Sequence, residues 1–400
     1  MRTALVVGGG ATGKALALAL APSARWKPIL FDPKGDAAGF SDGALMLWSN
    51  AVKALNHIGI DAGTLLATRK AVVQQRMDFR TFEGDLLWSM PINSYSDRAG
   101  FPSVLIDRKA LQEVLLQECE KRGIEREKAT FWDYRDDGRR VEANFLGSQR
   151  CTGDVLLGAD SADSAVARQL LGPPRFRSAE QYVVFGYSTH RSVLAPPGAC
   201  YCLMDADHRF FAAGAWKEST GVPRPTYWGA SVPRSLADSA TKVDKAALQE
   251  AFRGAAPEVN DLLEQTPKEK LWVLESRDRK PGDRWTGGRV GLLGDAAHPM
   301  TYDLGQGQAM GFEDAVVLAG HLARTTDVAN ALQRYEADRR RRVSIITELS
   351  YRAARVSTPG SDLLAWMRDF ATANLYAPMN EQTMRFILET DLGNSNPGTS

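Results

Sequence analysis

Cysteine is scarce in this chain of 400 residues: Cys119, Cys151, Cys200 and Cys202 are the four, with no Cys-x-x-Cys pair among them. That excludes a disulfide-stapled scaffold, which a chain this long does not need, and makes a reducing cytoplasm the expected setting. No metal site is expected. Long apolar runs are missing as well. No stretch approaches the roughly 20 consecutive apolar residues of a membrane helix, and Met1 to Val7 run straight into a strand pattern without a signal peptide's three-part layout. Charge of one sign is absent: Lys+Arg number 49 against Asp+Glu 48, and a net charge of +1 offers no field to draw in nucleic acid or an anionic membrane. Neither partner is expected, and the chain carries no internal repeat or low-complexity segment.

What is present is an ordinary soluble globular composition, 44% hydrophobic and 24% charged, with length for two or three domains. Ala4-Leu5-Val6-Val7 is a short apolar run ending in glycines, Lys14 to Ala21 are strong helix formers, and Pro28 to Asp32 form a second apolar run. Together they read as one βαβ unit. Asn50 to Ile58 and Arg108 to Cys119 carry apolar residues at three- and four-residue spacing, predicting two amphipathic helices that flank the sheet. Val155 to Asp160 and Arg289 to Asp295 are continuous apolar runs ending in Gly and Asp, the pattern of buried parallel strands whose C-terminal ends face a ligand.

Arg76 to Met90, Gln181 to His190, Ala199 to Trp216 and Pro225 to Val232 are rich in aromatic and β-branched residues and broken by turn signals, predicting a separate antiparallel sheet. The last strong helices are Gln308 to Ala323 and Val328 to about Arg355, with Pro378 and the Gly/Asn/Ser tail marking fraying. The expected fold is α/β: a Rossmann-like domain from residues 1–70, 100–175 and 277–330, interleaved with an antiparallel β domain from 71–99 and 176–276. A C-terminal helical segment, 331–400, follows.

Gly8-Gly9-Gly10-Ala11-Thr12-Gly13 fits Gly-x-Gly-x-x-Gly between a strand and a helix. Gly8 permits the tight turn, Gly10 lets a pyrophosphate approach the backbone, and Gly13 allows close helix packing, while the helix start offers free N–H groups to phosphates. Asp32, 24 residues after Gly8, can accept hydrogen bonds from a ribose. This motif serves NAD and FAD alike.

A second block is more specific: Gly294-Asp295-Ala296-Ala297-His298-Pro299, then Gly305-Gln306-Gly307 and Glu313-Asp314-Ala315. With Asn50 to Leu55, Arg108 to Leu111, Asp154 to Arg168 and Arg279-Lys280-Pro281, the chain resembles the class A FAD-dependent aromatic hydroxylases. These are the salicylate- and urate-hydroxylase-like flavoprotein monooxygenases of the p-hydroxybenzoate hydroxylase fold. The resemblance implies FAD as cofactor and NADH or NADPH as transient reductant. It implies hydroxylation of a small aromatic or N-heterocyclic substrate by O2 through a flavin C4a-hydroperoxide, in a cytoplasmic monomer or homodimer. It also implies that Asp295 binds the ribityl chain, that Arg108 reaches the phosphate or ribityl region, and that Pro299 lies beside the isoalloxazine. Ala11, Thr12, Pro33, Met46, Asp160, Leu304 and Gln308 complete the expected FAD contacts. Independently, Gly305-Gln306-Gly307 precede a helix whose positive N-terminal end can stabilise the anionic reduced flavin. His298 reads as a hydrogen-bonded loop histidine.

Departures from the family pattern are local. Its Asp-Gly pair reads Asp160-Ser161, a common proline is Tyr302, and Pro33, with Lys34 next, displaces a basic residue. Substrate-side candidates come from the antiparallel domain. Arg209 corresponds by motif to an arginine that urate-type relatives use, Tyr227 and Trp228 alternate so that only one faces a pocket, and His208 and Tyr187 stand behind. Arg339 to Arg342 read as solvated charge with some ion pairing. The alternatives are a flavin halogenase or oxidative cyclase of the same fold, the former lacking its Trp-x-Trp-x-Ile-Pro signature here, and a non-catalytic flavin-binding protein.

Overall fold

Leu5-Val6-Val7, Ile29-Leu30-Phe31, Val155-Leu156-Leu157 and Val290-Gly291-Leu292 lie side by side in a computed structural model, which describes residues 1–33, 43–188, 193–214, 226–236, 244–280, 282, 284–374, 376–390 and 392. Among the described residues the six-stranded sheet runs Thr286–Gly287, Val290–Leu292, Val155–Gly158, Arg2–Val7, Trp26–Phe31, Glu125–Glu127. All its pairs are parallel except the first. Both faces are covered, so the strands read as unbroken apolar runs rather than alternating ones. The helices Ala11–Leu20 and Gly307–Arg324 pack together, and Ser49–His57 and Val328–Ser357 pack on the second of them. Val7, Phe31, Gly158 and Leu292 all end at one edge, so every bend after them opens there, as the switch-point rule requires.

The seven-stranded sheet is ordered Leu271–Arg279, Phe176–Ser188, Thr226–Pro233, Arg209–Gly214, Ala199–Met204, Arg76–Thr81, Leu86–Met90. It is antiparallel with one correction: Ala199–Met204 pairs parallel to Arg76–Thr81. A parallel pair needs a long crossover, and the chain between these strands, which passes through the other sheet, supplies it. Two three-stranded sheets, one joining Ala44–Leu47, Val104–Asp107 and Ala71–Val73, the other Arg150–Gly153, Val141–Phe145 and Phe131–Asp136, were not evident in the sequence.

The C-terminal expectation needs a further correction. Beyond Ser357 the chain forms two more helices, Asp362–Asn374 and Tyr376–Leu388. Pro378 lies in the first turn of the second, where its missing N–H costs no helical hydrogen bond. The Arg339 to Arg342 reading is corrected too: Arg339 is buried and Arg342 largely so, both on acidic partners, while Arg341 is exposed. Lys34, His190, Trp216, Pro225, Pro281 and the terminal Gly/Asn/Ser tail lie outside the described residues.

Candidate active site

Four backbone bends meet at the C-terminal edge of the parallel sheet. In the first, Gly8 has φ +116°, and a Cβ there would stand 2.2 Å from the Ala159 carbonyl oxygen. A Cβ on Gly9 would strike the Asp32 carboxylate at 2.1 Å, and one on Gly13 the Gly8 oxygen at 1.8 Å, whereas Gly10 faces open space. Gly10 is thus where a ligand can reach the backbone, and Gly13 is demanded by packing. Helix Ala11–Leu20 begins without a side-chain cap and without an acid in its first turn. Beneath the bend, buried Lys14 donates to the Gly9 oxygen and to Gln112 Oε1 at 3.0 Å. Pro33 is exposed just beyond Asp32.

The second bend carries Asp295. Gly294 has φ +57° and sits against Thr12, 3.0 Å from where its Cβ would be, and Gln308 Nε2 donates to Thr12 Oγ1 at 3.3 Å. The Asp295 carboxyl is solvent-accessible yet recessed. Burial raises its pKa, opposed by His298 and Arg108. Burial likewise lowers that of Arg108, opposed by Tyr302 and Asp295, and pushes the Tyr302 phenol up to about 12. Arg108, Asp295 and Tyr302 therefore form one charge-coupled group.

In the third bend, Gly305 has φ +60° and Gly307 starts the uncapped helix Gly307–Arg324, again without an acid in its first turn. Gln306 is buried; its Oε1 accepts from Asn50 Nδ2 at 2.9 Å, which also reaches Glu313 Oε1 at 2.8 Å. Two buried donors, Gln306 Nε2 and Trp48 Nε1, have no hydrogen-bond acceptor among the described residues. Trp48 Nε1 lies 3.2 Å from where a Gly305 Cβ would be. Leu304 and Met46 are half-buried and pack on the main core.

The fourth bend holds Asp160. Its carboxylate turns away from the other three to cap helix Ala165–Leu171, accepting from Ser164 Oγ at 2.5 Å and from the Ala165 amide at 2.9 Å. Only its backbone approaches Gly8. Ser161 has φ +76°, a left-handed conformation that a glycine adopts without cost.

Above these bends the seven-stranded sheet turns one face inward. Its pairings align Trp272, Phe185, Gly229, Phe211, Cys202, Phe79 and Trp88 in one row across the strands. Phe185 stacks on Trp272 at 5.8 Å and meets Tyr302 edge-on at 5.6 Å, so the loop carrying Tyr302 touches this roof. Arg209 points inward beside Ser231 and pairs with Asp303 at 2.6 Å, while its other guanidinium nitrogen donates to Ser357 Oγ at 3.3 Å. Tyr227 lies tilted against Tyr187, ring centroids 5.6 Å apart, and donates to Asp107 Oδ2 at 3.1 Å. Trp228 faces outward into the core and donates to Thr266. His208 sits with Phe82 and Phe252, its Nδ1 on Asp205 at 3.0 Å. Buried Pro299 accepts from the Arg279 amide at 3.1 Å. The inward row was missed in the sequence; its signal was the alternation Phe185-Gly186-Tyr187 and Arg209-Phe210-Phe211, uninterpretable until the facing strands are known.

A model of the FAD-binding domain matches residues 1–350. The chain belongs to the FAD-binding domain family. It is 30% identical over 379 residues to the aurachin C monooxygenase/isomerase of Stigmatella aurantiaca, covering 92% of both chains. It is 29% identical over 352 residues to 3-hydroxybenzoate 6-hydroxylase 1 of Aquipseudomonas alcaligenes, covering 84% of both. The crystal structure of Klebsiella pneumoniae HpxO complexed with FAD and uric acid superposes with a TM-score of 0.85 at 25% identity, covering 98% of each chain. The chain is therefore an FAD-dependent monooxygenase of the aromatic- or heterocycle-hydroxylase kind, with a Rossmann-like FAD domain. FAD suits the residues present: an open approach at Gly10, two uncapped helix starts, a recessed carboxylate beside a guanidinium, and two buried N–H donors awaiting acceptors. Among the described residues no cluster could hold a metal ion, and no helix is long and apolar enough to cross a membrane.

Proposed function

We propose that this enzyme, reduced by NADH or NADPH, inserts one atom of O2 into a small aromatic or N-heterocyclic substrate lying between the Pro299–Gly307 loop and the inward aromatic row. The observation that carries this reading is the contact of Tyr302 with Phe185, which sets an aromatic wall directly over the bends that suit FAD. When bound, FAD supplies the reducing equivalents and the activated oxygen, chemistry that no side chain provides. The bend Gly8 to Gly13, Asp32, Arg108, Asp295 and Gly305 to Gln308 would hold it, with Met46, Leu304 and Pro299 against it.

The protein's own residues do three things. The rings of Phe185, Phe211 and Trp272 present flat apolar surface to a planar substrate and exclude water from the reacting region. Tyr302, its phenol kept protonated up to about pH 12 chiefly by burial, remains a hydrogen-bond donor toward a substrate oxygen or nitrogen throughout the neutral range. Arg209 holds Asp303 and so fixes the loop from above.

The test follows NADH and NADPH oxidation by the FAD-loaded protein with and without phenols and N-heterocycles. Consumption should rise with a suitable ring and yield a product heavier by one oxygen. Hydrogen peroxide alone, with every ring tried, would refute the assigned substrate class; a flavin that neither nicotinamide reduces would refute the reductant.

A further inference from the structure

Helix Asp362–Asn374 is built inside out. Leu363, Leu364, Trp366, Met367 and Phe370 are each between 50% and 67% exposed, and Trp366 stacks on Phe370 at 5.8 Å. Leu363, Trp366, Met367 and Phe370 follow the i, i+3, i+4, i+7 spacing that gathers apolar residues on one face. The opposite face holds buried Ala365 and Thr372. It also holds Arg368, whose guanidinium donates to the carbonyls of Ser357 at 2.6 Å, Asp205 at 2.7 Å and Met204 at 3.3 Å. Rolling the helix to bury its apolar face would strip those three carbonyls from a charged donor, so the stripe is fixed outward.

We propose that this stripe is the interface with a second copy of the same chain, the two helices packing across a two-fold axis. Three observations select that occupant. The stripe and the adjoining Leu364 leave on the order of 600 Å² exposed, at the top of the roughly 300–600 Å² that the largest apolar patch of a monomer spans, and two copies together bury at most about 1,200 Å², above the roughly 1,000 Å² a specific interface needs. The single stripe is self-complementary, as a two-fold contact demands, and the net charge of +1 sets up no repulsion between copies. A bilayer suits it less well. Interfacial helices border their apolar face with free basic residues, whereas here Asp362 and Asp369 flank the stripe and Arg368 is already engaged. The helix is also anchored beforehand, so association orders little that was loose.

The experiment is sedimentation of the FAD-loaded full chain over a concentration series, alone and with the double variant Trp366→Glu/Phe370→Glu. Wild type should give a two-chain mass, and the double variant a single-chain mass with an unchanged flavin spectrum. Should the charged variant fail to fold, Trp366→Ala should still weaken the dimer about tenfold or more, as loss of a central aromatic anchor does. The proposal is overturned by a wild-type monomer at the highest concentration, or by a dimer indifferent to these substitutions. It is equally overturned by wild-type flotation with neutral phosphatidylcholine vesicles that the double variant abolishes.

Discussion

Two arginines grip opposite ends of the loop from Gly294 to Gln306, and they do so differently. Arg339, beneath it, is buried with two carboxylates: Nη1 lies 2.6 Å from Glu313 and Nε 2.7 Å from Asp314. Asp314 also accepts from the Gly294 amide at 2.9 Å and meets His298 Nε2 at 2.5 Å, so this network sets the turn that carries Asp295. Arg209, above, has one carboxylate partner, Asp303, and two serine hydroxyls. The lower grip is dry, charge-balanced and built from helix Gly307–Arg324 and its neighbour. The upper grip is a single pair reaching from a sheet into the candidate substrate space. A buried ion network fixes backbone, and an isolated pair beside a pocket leaves its members available for tuning.

The sharpest way to break the comparison is Arg339→Met. It takes from Glu313 and Asp314 the one buried cation they share, leaving only Arg342 against the first and His298 against the second, and should cost about 3 kcal/mol of stability, the low end for breaking a buried pair, together with flavin occupancy. Arg341→Met, on the exposed side of the same helix, should cost nothing measurable beyond ~0.5 kcal/mol. Equal losses in chemical denaturation would remove the distinction between the two positions.

The same variant has a pH signature. Burial alone would raise the Asp314 and Glu313 carboxyls. For Asp314, His298 and Arg339 outweigh it; for Glu313, Arg339 and Arg342 do, and both pKa values fall below the usual range. A depressed folded-state pKa contributes stability that is complete above the unfolded value, about 4, and is lost as pH falls through the folded value. Wild type should therefore hold its stability from pH 7 to 5 and lose it below about 4. In Arg339→Met both carboxyls lose part of what opposes their burial, so their pKa values rise and the gap between the two proteins should narrow in acid. A gap that widens would mean that the carboxylates were never depressed.

Asp295→Ala and Arg209→Ala sharpen the comparison from the ligand's side. The first should release flavin, since losing a charged acceptor costs about 1.5–3 kcal/mol of binding, and be read by absorbance after gel filtration. The second should leave the flavin spectrum intact and change how strongly a substrate accelerates NAD(P)H oxidation. If Arg209→Ala strips the flavin as Asp295→Ala does, both grips serve the cofactor and the roof has been misassigned.

The floor was legible because its constraints are local. Gly8, Gly9 and Gly13 each answer to an atom within a few residues or at an adjoining strand end, Gly10 alone faces open space, and the Gly-x-Gly-x-x-Gly spacing carries that geometry unaided. The roof was not. Whether Phe211 joins Phe185 depends on Gly229 standing between them, and that register is set by strands far apart in the chain. Sequence alone makes Arg339 look solvated, because four successive arginines spread around a helix. Which of them turns inward was decided by Glu313 and Asp314 on a different helix, invisible to periodicity within its own. The motif points Asp160 to the cofactor, yet its carboxylate is held by the helix start five residues on, a local competitor that the Ser164 N-cap signals.

The smallest expected effect tests Ser161, a non-glycine residue held in the left-handed region beside the first bend. Ser161 holds φ +76° with its side chain exposed, a conformation that costs an L-residue about 1–2 kcal/mol. Ser161→Gly removes that cost but adds conformational freedom to the unfolded chain, worth roughly 0.5–1 kcal/mol in the opposite direction. The net should be stabilisation of about 0.5–1 kcal/mol with flavin affinity unchanged, because the turn between Gly158 and helix Ala165–Leu171 already has its final shape. Ser161→Val, which tolerates the left-handed region worse, should destabilise and disturb the Asp160 cap. If Ser161→Gly instead lowers the melting temperature, the serine side chain makes a contact worth more than the strain it brings, and the bend is held by chemistry rather than by its neighbours.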